Sequence, residues 1–104
     1  MSVLLEFAMF PTDKGESVSA YVSEVIRIIR DSGADYQLTP MGTIIETETL
    51  EEAMTLVQRA YSQLESAGCN RVYSSLKLDI RLGKSGRLKG KLASVEEKIG
   101  QVTT

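Results

Sequence analysis

The stretch YQLTPMGTIIETET, Tyr36 to Thr49, decides the fold. Tyr36 to Thr39 reads as a short strand. The following TPMG is a turn, with Pro40 presetting its backbone angle and Gly42 relieving crowding at the exit. Thr43 to Glu48 reads as the hairpin partner. Thr49 and Glu52 then form a capping box, in which a hydroxyl bonds a backbone N–H of the helix it opens. A hairpin that runs directly into a helix is the middle of a split plan if a strand and helix precede it and a strand follows.

Both conditions hold. Upstream, Ser2 to Phe10 (SVLLEFAMF) alternates Val3, Leu5, Phe7 and Met9 against Leu4, Glu6, Ala8 and Phe10. Both sets are largely apolar, which predicts a central strand covered on both faces. Pro11 ends it. From Ser17 to Ser32 the residues Val18, Tyr21, Val22, Val25, Ile26 and Ile29 share one helical stripe, and Gly33 suits a C-terminal cap.

Downstream, the helix from Leu50 to about Ala67 carries Ala53, Met54, Val57, Ala60, Tyr61 and Leu64 on its apolar side, and Gly68 closes it. Arg71 to Arg81 is the last long strand. Leu76, Leu78 and Ile80 take one face, and Tyr73, Ser75, Lys77, Asp79 and Arg81 take the other. A basic segment, LGKSGRLKGK, reads as a solvated loop. A short C-terminal helix is expected behind a second capping box, Ser94 with Glu97.

The order strand, helix, strand, strand, helix, strand predicts an α+β fold of ferredoxin-like βαββαβ plan. It has a four-stranded antiparallel sheet, two helices on one face and a short C-terminal helix. The second sheet face is too apolar to stay wet, so sheet-to-sheet or edge-to-edge association into an oligomer is expected.

Composition narrows the function. The chain has 104 residues, 42% hydrophobic and 25% charged, as in an ordinary soluble protein of one domain spanning residues 1–104. A net charge of −2 gives no electrostatic reason to expect nucleic acid or an anionic membrane as partner. The one cysteine, Cys69, forms no intrachain disulfide, which fits a reduced, cytoplasmic setting. The first residues lack the basic lead of a secretory signal, and no apolar run is long enough to cross a bilayer. With no histidine, triads and imidazole metal sites are excluded, and an enzyme is not expected.

Glu46 stands out as a carboxylate inside an apolar strand, because an unpaired buried charge is costly. It has two readings. In one it points to solvent from an edge strand or sits in a subunit contact of a structural or regulatory oligomer. In the other, Thr43 and Glu46 form a polar cluster on a floor of Met41, Ile44 and Ile45, suited to a planar, nitrogen-rich ligand. Tyr73, Ser75, Lys77 and Asp79 likewise read either as a polar ladder, with Lys77 or Arg81 pairing Asp79 or Glu6, or, for Tyr73 and Ser75, as walls of the same pocket. The basic segment lacks P-loop spacing, and the sheet lacks the glycine-aromatic motif of ferredoxin-like RNA binders. The carboxylates Glu46, Glu48, Glu51 and Glu52 mostly belong to a helix N-terminus and predict no metal site.

Taken in order, Y-x-L-x-P-M-G-T-x-I-E, the strand R-V-x-x-x-x-K-L-D-x-R and the closing S-V-E-E-K resemble the small thiamine-binding protein family, from VLLEFAMFP to Lys98. The resemblance implies a non-enzymatic, cytosolic homo-oligomer, a tetramer of dimers with joined sheets, that binds thiamine or its hydroxymethylpyrimidine part without a cofactor. It implies Thr43 and Glu46 as ligand contacts, with Glu46 meeting the aminopyrimidine and Met41 and Gly42 shaping the rim. Phe10, Tyr73 and Ser75 are added from the strand reading alone.

Overall fold

Alternation sends Val3, Leu5, Phe7 and Met9 to one side of the first strand, and all four are buried, at 0–7% exposure. The computed structural model describes residues 1–104. The chain runs β1 (Ser2–Pro11), α1 (Ser19–Asp31), β2 (Asp35–Thr39), β3 (Gly42–Thr47), α2 (Leu50–Ser66), β4 (Val72–Arg81) and α3 (Arg87–Ile99). The sheet order is β2-β3-β1-β4, with every neighbouring pair antiparallel. This is the expected ferredoxin-like α+β plan, with β1 central.

The core forms where the buried stripes of two helices meet the inner face of the sheet. Val25 and Ile29 of α1 and Ala53, Leu56, Ala60 and Leu64 of α2 cluster with Val3, Leu5, Phe7 and Met9 of β1 and Ile45 of β3. Cys69 is buried in the same cluster. The Thr49 hydroxyl accepts from the Glu52 amide at 3.1 Å, so α2 opens on the anticipated cap. Val18 is not part of the α1 stripe: it precedes the helix with non-helical angles, φ −118° and ψ 9°.

The C-terminal segment departs furthest from the sequence reading. α3 begins at Arg87, inside the basic stretch, so Ser94 lies mid-helix and caps nothing. The pattern Ser-x-x-Glu is equally at home on a solvated helix face. The start of α3 is fixed instead by a carboxylate far away in sequence. Glu46 Oε2 accepts from the Arg87 amide at 3.0 Å, and Oε1 accepts from the Leu88 amide at 3.1 Å. Glu46 faces away from the core, so α3 attaches to the sheet face opposite α1 and α2. No residue of α3 is buried. The radius of gyration, 15.0 Å, exceeds the roughly 13 Å typical of a compact chain of this length.

Candidate functional site

Strand parity separates the residues expected to cluster. Thr43 and Glu46 are an odd number of positions apart on β3, so they point to opposite faces. Thr43, 2% exposed, faces the helices. Glu46 faces α3. The single polar cluster expected of them does not form; two sites at opposite ends of the sheet replace it.

The first is a cavity of about 320 Å³ between the β2–β3 turn, β1 and α1. Phe10, Val22, Ile26, Leu38, Met41 and Thr43 are among its lining residues, and none of the lining residues is charged. Gly42 also borders it. Its φ is +152°, and a Cβ there would meet the Phe7 carbonyl oxygen at 3.1 Å, so the turn needs glycine to approach β1 this closely. The hydroxyls of Thr39, Thr47 and Thr49 each bond within the chain. That of Thr43 bonds no protein atom. Because no polar side-chain atom is sealed away unpaired, the Thr43 hydroxyl opens on the cavity. Met41, 90% exposed, stands at the rim.

The second site surrounds Glu46. Besides the two α3 amides, its carboxylate accepts a short hydrogen bond from the Ser2 hydroxyl. Arg87 completes the cluster. Its Nη2 donates to the carbonyl oxygens of Ser2 at 2.8 Å and Asp79 at 2.6 Å, and its Nη1 pairs the Asp79 carboxylate at 3.2 Å. Burial pushes the Glu46 pKa up, but the Ser2 hydroxyl, the Arg87 and Leu88 amides and the Arg87 charge outweigh it, leaving the carboxyl below its ordinary value. Glu46 is therefore ionised and already supplied with donors. An open polar cleft of about 800 Å³ lies alongside, bordered by Asp35, Glu48, Glu51, Glu52 and Arg59. No group of carboxylates and thiols there or elsewhere is arranged to hold a metal ion.

Tyr73 and Ser75 lie on the outer face of β4, beyond both sites. Tyr73 is 60% exposed, and its ring centroid stands 5.6 Å from that of Phe10, directly across the ladder. Phe10, Met41, Gly42 and Thr43 thus share one cavity, whereas Glu46, Tyr73 and Ser75 do not line it. Sequence reasoning missed Ser2 and Arg87. Nothing local links them to Glu46, and the basic run masked Arg87, whose side chain is only 9% exposed.

Residues 5–96 match the family described as thiamine-binding protein. The chain belongs to that family. Among the family's relatives, UPF0045 protein Mb1933 of Mycobacterium bovis is 42% identical, over 92% of this chain and 93% of its own length. The crystal structure of protein MJ1052 from Methanocaldococcus jannaschii superposes with a TM-score of 0.78 at 33% identity, covering 92% of this chain and 97% of that one. A domain of unknown function, DUF77, from Bacillus cereus gives a TM-score of 0.73 at 26% identity, over 95% of this chain and 88% of its own. No helix of this chain is long and apolar enough to cross a membrane.

Proposed function

We propose that this chain, as one domain of residues 1–104, is a non-catalytic cytoplasmic binding protein for thiamine or a related hydroxymethylpyrimidine, acting as carrier or sensor. The observation that carries the reading is the free Thr43 hydroxyl in an uncharged, mostly apolar cavity of about 320 Å³, in a chain of the thiamine-binding family. Apolar walls with one directed polar group suit a flat heteroaromatic ring: burial supplies affinity, and the hydroxyl reads a ring nitrogen or amino group. Phe10, Met41 and Gly42 border that ring. Glu46 is reassigned from ligand contact to anchor of α3, because its donors are already in place. Tyr73 and Ser75 belong to a surface of the homo-oligomer, a tetramer of dimers with joined sheets.

Calorimetry tests the reading. Thiamine or hydroxymethylpyrimidine should bind with an affinity of about micromolar, or about −8 kcal/mol. Thr43→Val should weaken it about threefold to tenfold, the worth of one neutral hydrogen bond. Glu46→Gln should leave it unchanged. Absence of heat with both compounds overturns the proposal.

A second reading, a structural or regulatory homo-oligomer without a small ligand, draws on the complete occupation of Glu46 by protein donors. On that reading the chain sediments as an oligomer while every ligand titration stays flat, and Glu46→Gln loosens only α3.

A further inference from the structure

The turn between β2 and β3 is held firmly in its backbone and leaves one side chain loose. The Thr39 hydroxyl donates to the Gly42 carbonyl oxygen at 2.8 Å and accepts from the Met41 amide at 3.2 Å, which ties the turn from end to end. Pro40 fixes a further backbone angle. Gly42 packs against the Phe7 carbonyl and so seats the turn on β1. The Met41 side chain shares none of this order. It borders the cavity of about 320 Å³, yet Met41 stays 90% exposed.

An apolar side chain left in water beside an apolar opening has a surface to cover and gains by covering it. Methionine suits that movement. Its unbranched thioether turns about several bonds, takes up irregular shapes and makes favourable contacts with aromatic rings. The anchored turn holds its Cα still while the side chain swings.

The exposed sulfur is also chemically vulnerable, because peroxides convert an accessible thioether to a polar sulfoxide. Met54 is 41% exposed, and Met9, in the wall of the same cavity, is 7% exposed. Exposure therefore singles out Met41 at the cavity.

We propose that Met41 is an oxidative modification site that governs ligand retention in this cavity. As the thioether it folds over the outer face of a bound ring, and as the sulfoxide it stays in water. The proposal rests on the ring-binding reading of the cavity and adds its regulation.

Hydrogen peroxide is the oxidant. A sulfur lone pair attacks one peroxide oxygen, and the S–O bond forms as the O–O bond breaks. The sulfur gives up the electron pair. The other oxygen leaves as hydroxide and takes the proton of the transferred oxygen, becoming water. The product carries a strong hydrogen-bond acceptor. Folded inwards it would exchange water for Phe10, Val22, Ile26 and Leu38, among walls that hold no charged residue. A polar group buried without a donor is costly, so the sulfoxide remains outside and the ring loses its cover.

Peptide mass spectrometry after limited hydrogen peroxide treatment, with calorimetry on hydroxymethylpyrimidine, tests this. Met41 should take up oxygen before Met54 and Met9, and saturating hydroxymethylpyrimidine should slow Met41 by about threefold or more while sparing Met54. Oxidation should weaken binding about threefold to tenfold, the worth of one thioether–ring contact, and methionine sulfoxide reductases should restore it. Met54→Leu should match the wild type in affinity and in sensitivity to peroxide. In Met41→Leu the affinity should be the same before and after peroxide. Undiminished binding after Met41 is oxidised, a Met41→Leu variant that still weakens in peroxide, or a Met41 rate that the pyrimidine does not slow overturns this proposal and leaves the ring-binding reading standing. A reduced wild type that binds no pyrimidine overturns both.

Discussion

β1 and β4 lie side by side from Ser2 to Pro11, yet their helix-facing residues have opposite fates. Val3 and Leu5 are fully buried, whereas their ladder partners Ile80 and Leu78 are 45% and 40% exposed. At these helix-facing positions both strands carry apolar residues. The difference lies in what stands over them: α1 and α2 close over β1 and β3, and the cover stops short of β4. Alternation assigns a face to each side chain, but it does not supply the neighbour that buries it.

The strongest way to break the comparison is to truncate a leucine in each strand. Leu5→Ala should destabilise the chain by about 2–5 kcal/mol, as a cavity in a packed core does. Leu78→Ala should cost under about 1 kcal/mol in the isolated chain, since the side chain is half wet already. Denaturant midpoints measured at low concentration will separate the two. Equal losses would mean that β4 is covered after all.

A smaller effect is expected at Glu46, which holds the only helix on the far face. Glu46→Gln should cost about 1–3 kcal/mol, because two amides and a hydroxyl lose a charged acceptor. The loss should appear as faster hydrogen exchange at the Arg87 and Leu88 amides, with β1 unaffected. The pH dependence has a definite sign. The folded Glu46 carboxyl lies below its ordinary value of 4.5, so its contribution is complete above that value and is lost as pH falls through the folded pKa. Protection of the α3 amides, measured against their intrinsic exchange rates, should therefore fall in acid before that of the core, and Glu46→Gln should remove that step.

The smallest effect belongs to the cover over β1. Thr49→Ala removes the α2 cap and should cost about 1 kcal/mol in thermal or chemical unfolding. It sharpens the comparison by loosening α2 without touching either strand.

Much of this molecule was legible from short-range pattern. The β2–β3 hairpin, the Thr49 cap, both core helices and the βαββαβ order follow from residues within a turn or two of one another. The candidate site was only half legible. Phe10, Met41, Gly42 and Thr43 share a cavity because the hairpin folds back towards β1, but Glu46 was grouped with them against the parity of its own strand. Arg87 was hidden among lysines. No local signal distinguishes the one cation that burrows beneath the start of α3 from those that stay in water.

By itself the sequence determined which segments become strands and helices, where most of them end and which face each side chain takes. Those choices depend on backbone sterics, capping and periodicity, all of which act over a few residues. Only the tertiary structure decided that Glu46 serves α3, that Thr43 opens on a separate cavity and that β4 is left bare. These outcomes join groups far apart in the chain, more than forty positions in the case of Glu46 and Arg87. At that separation the deciding factor is packing and the need of each buried charge for a partner, which no local pattern encodes.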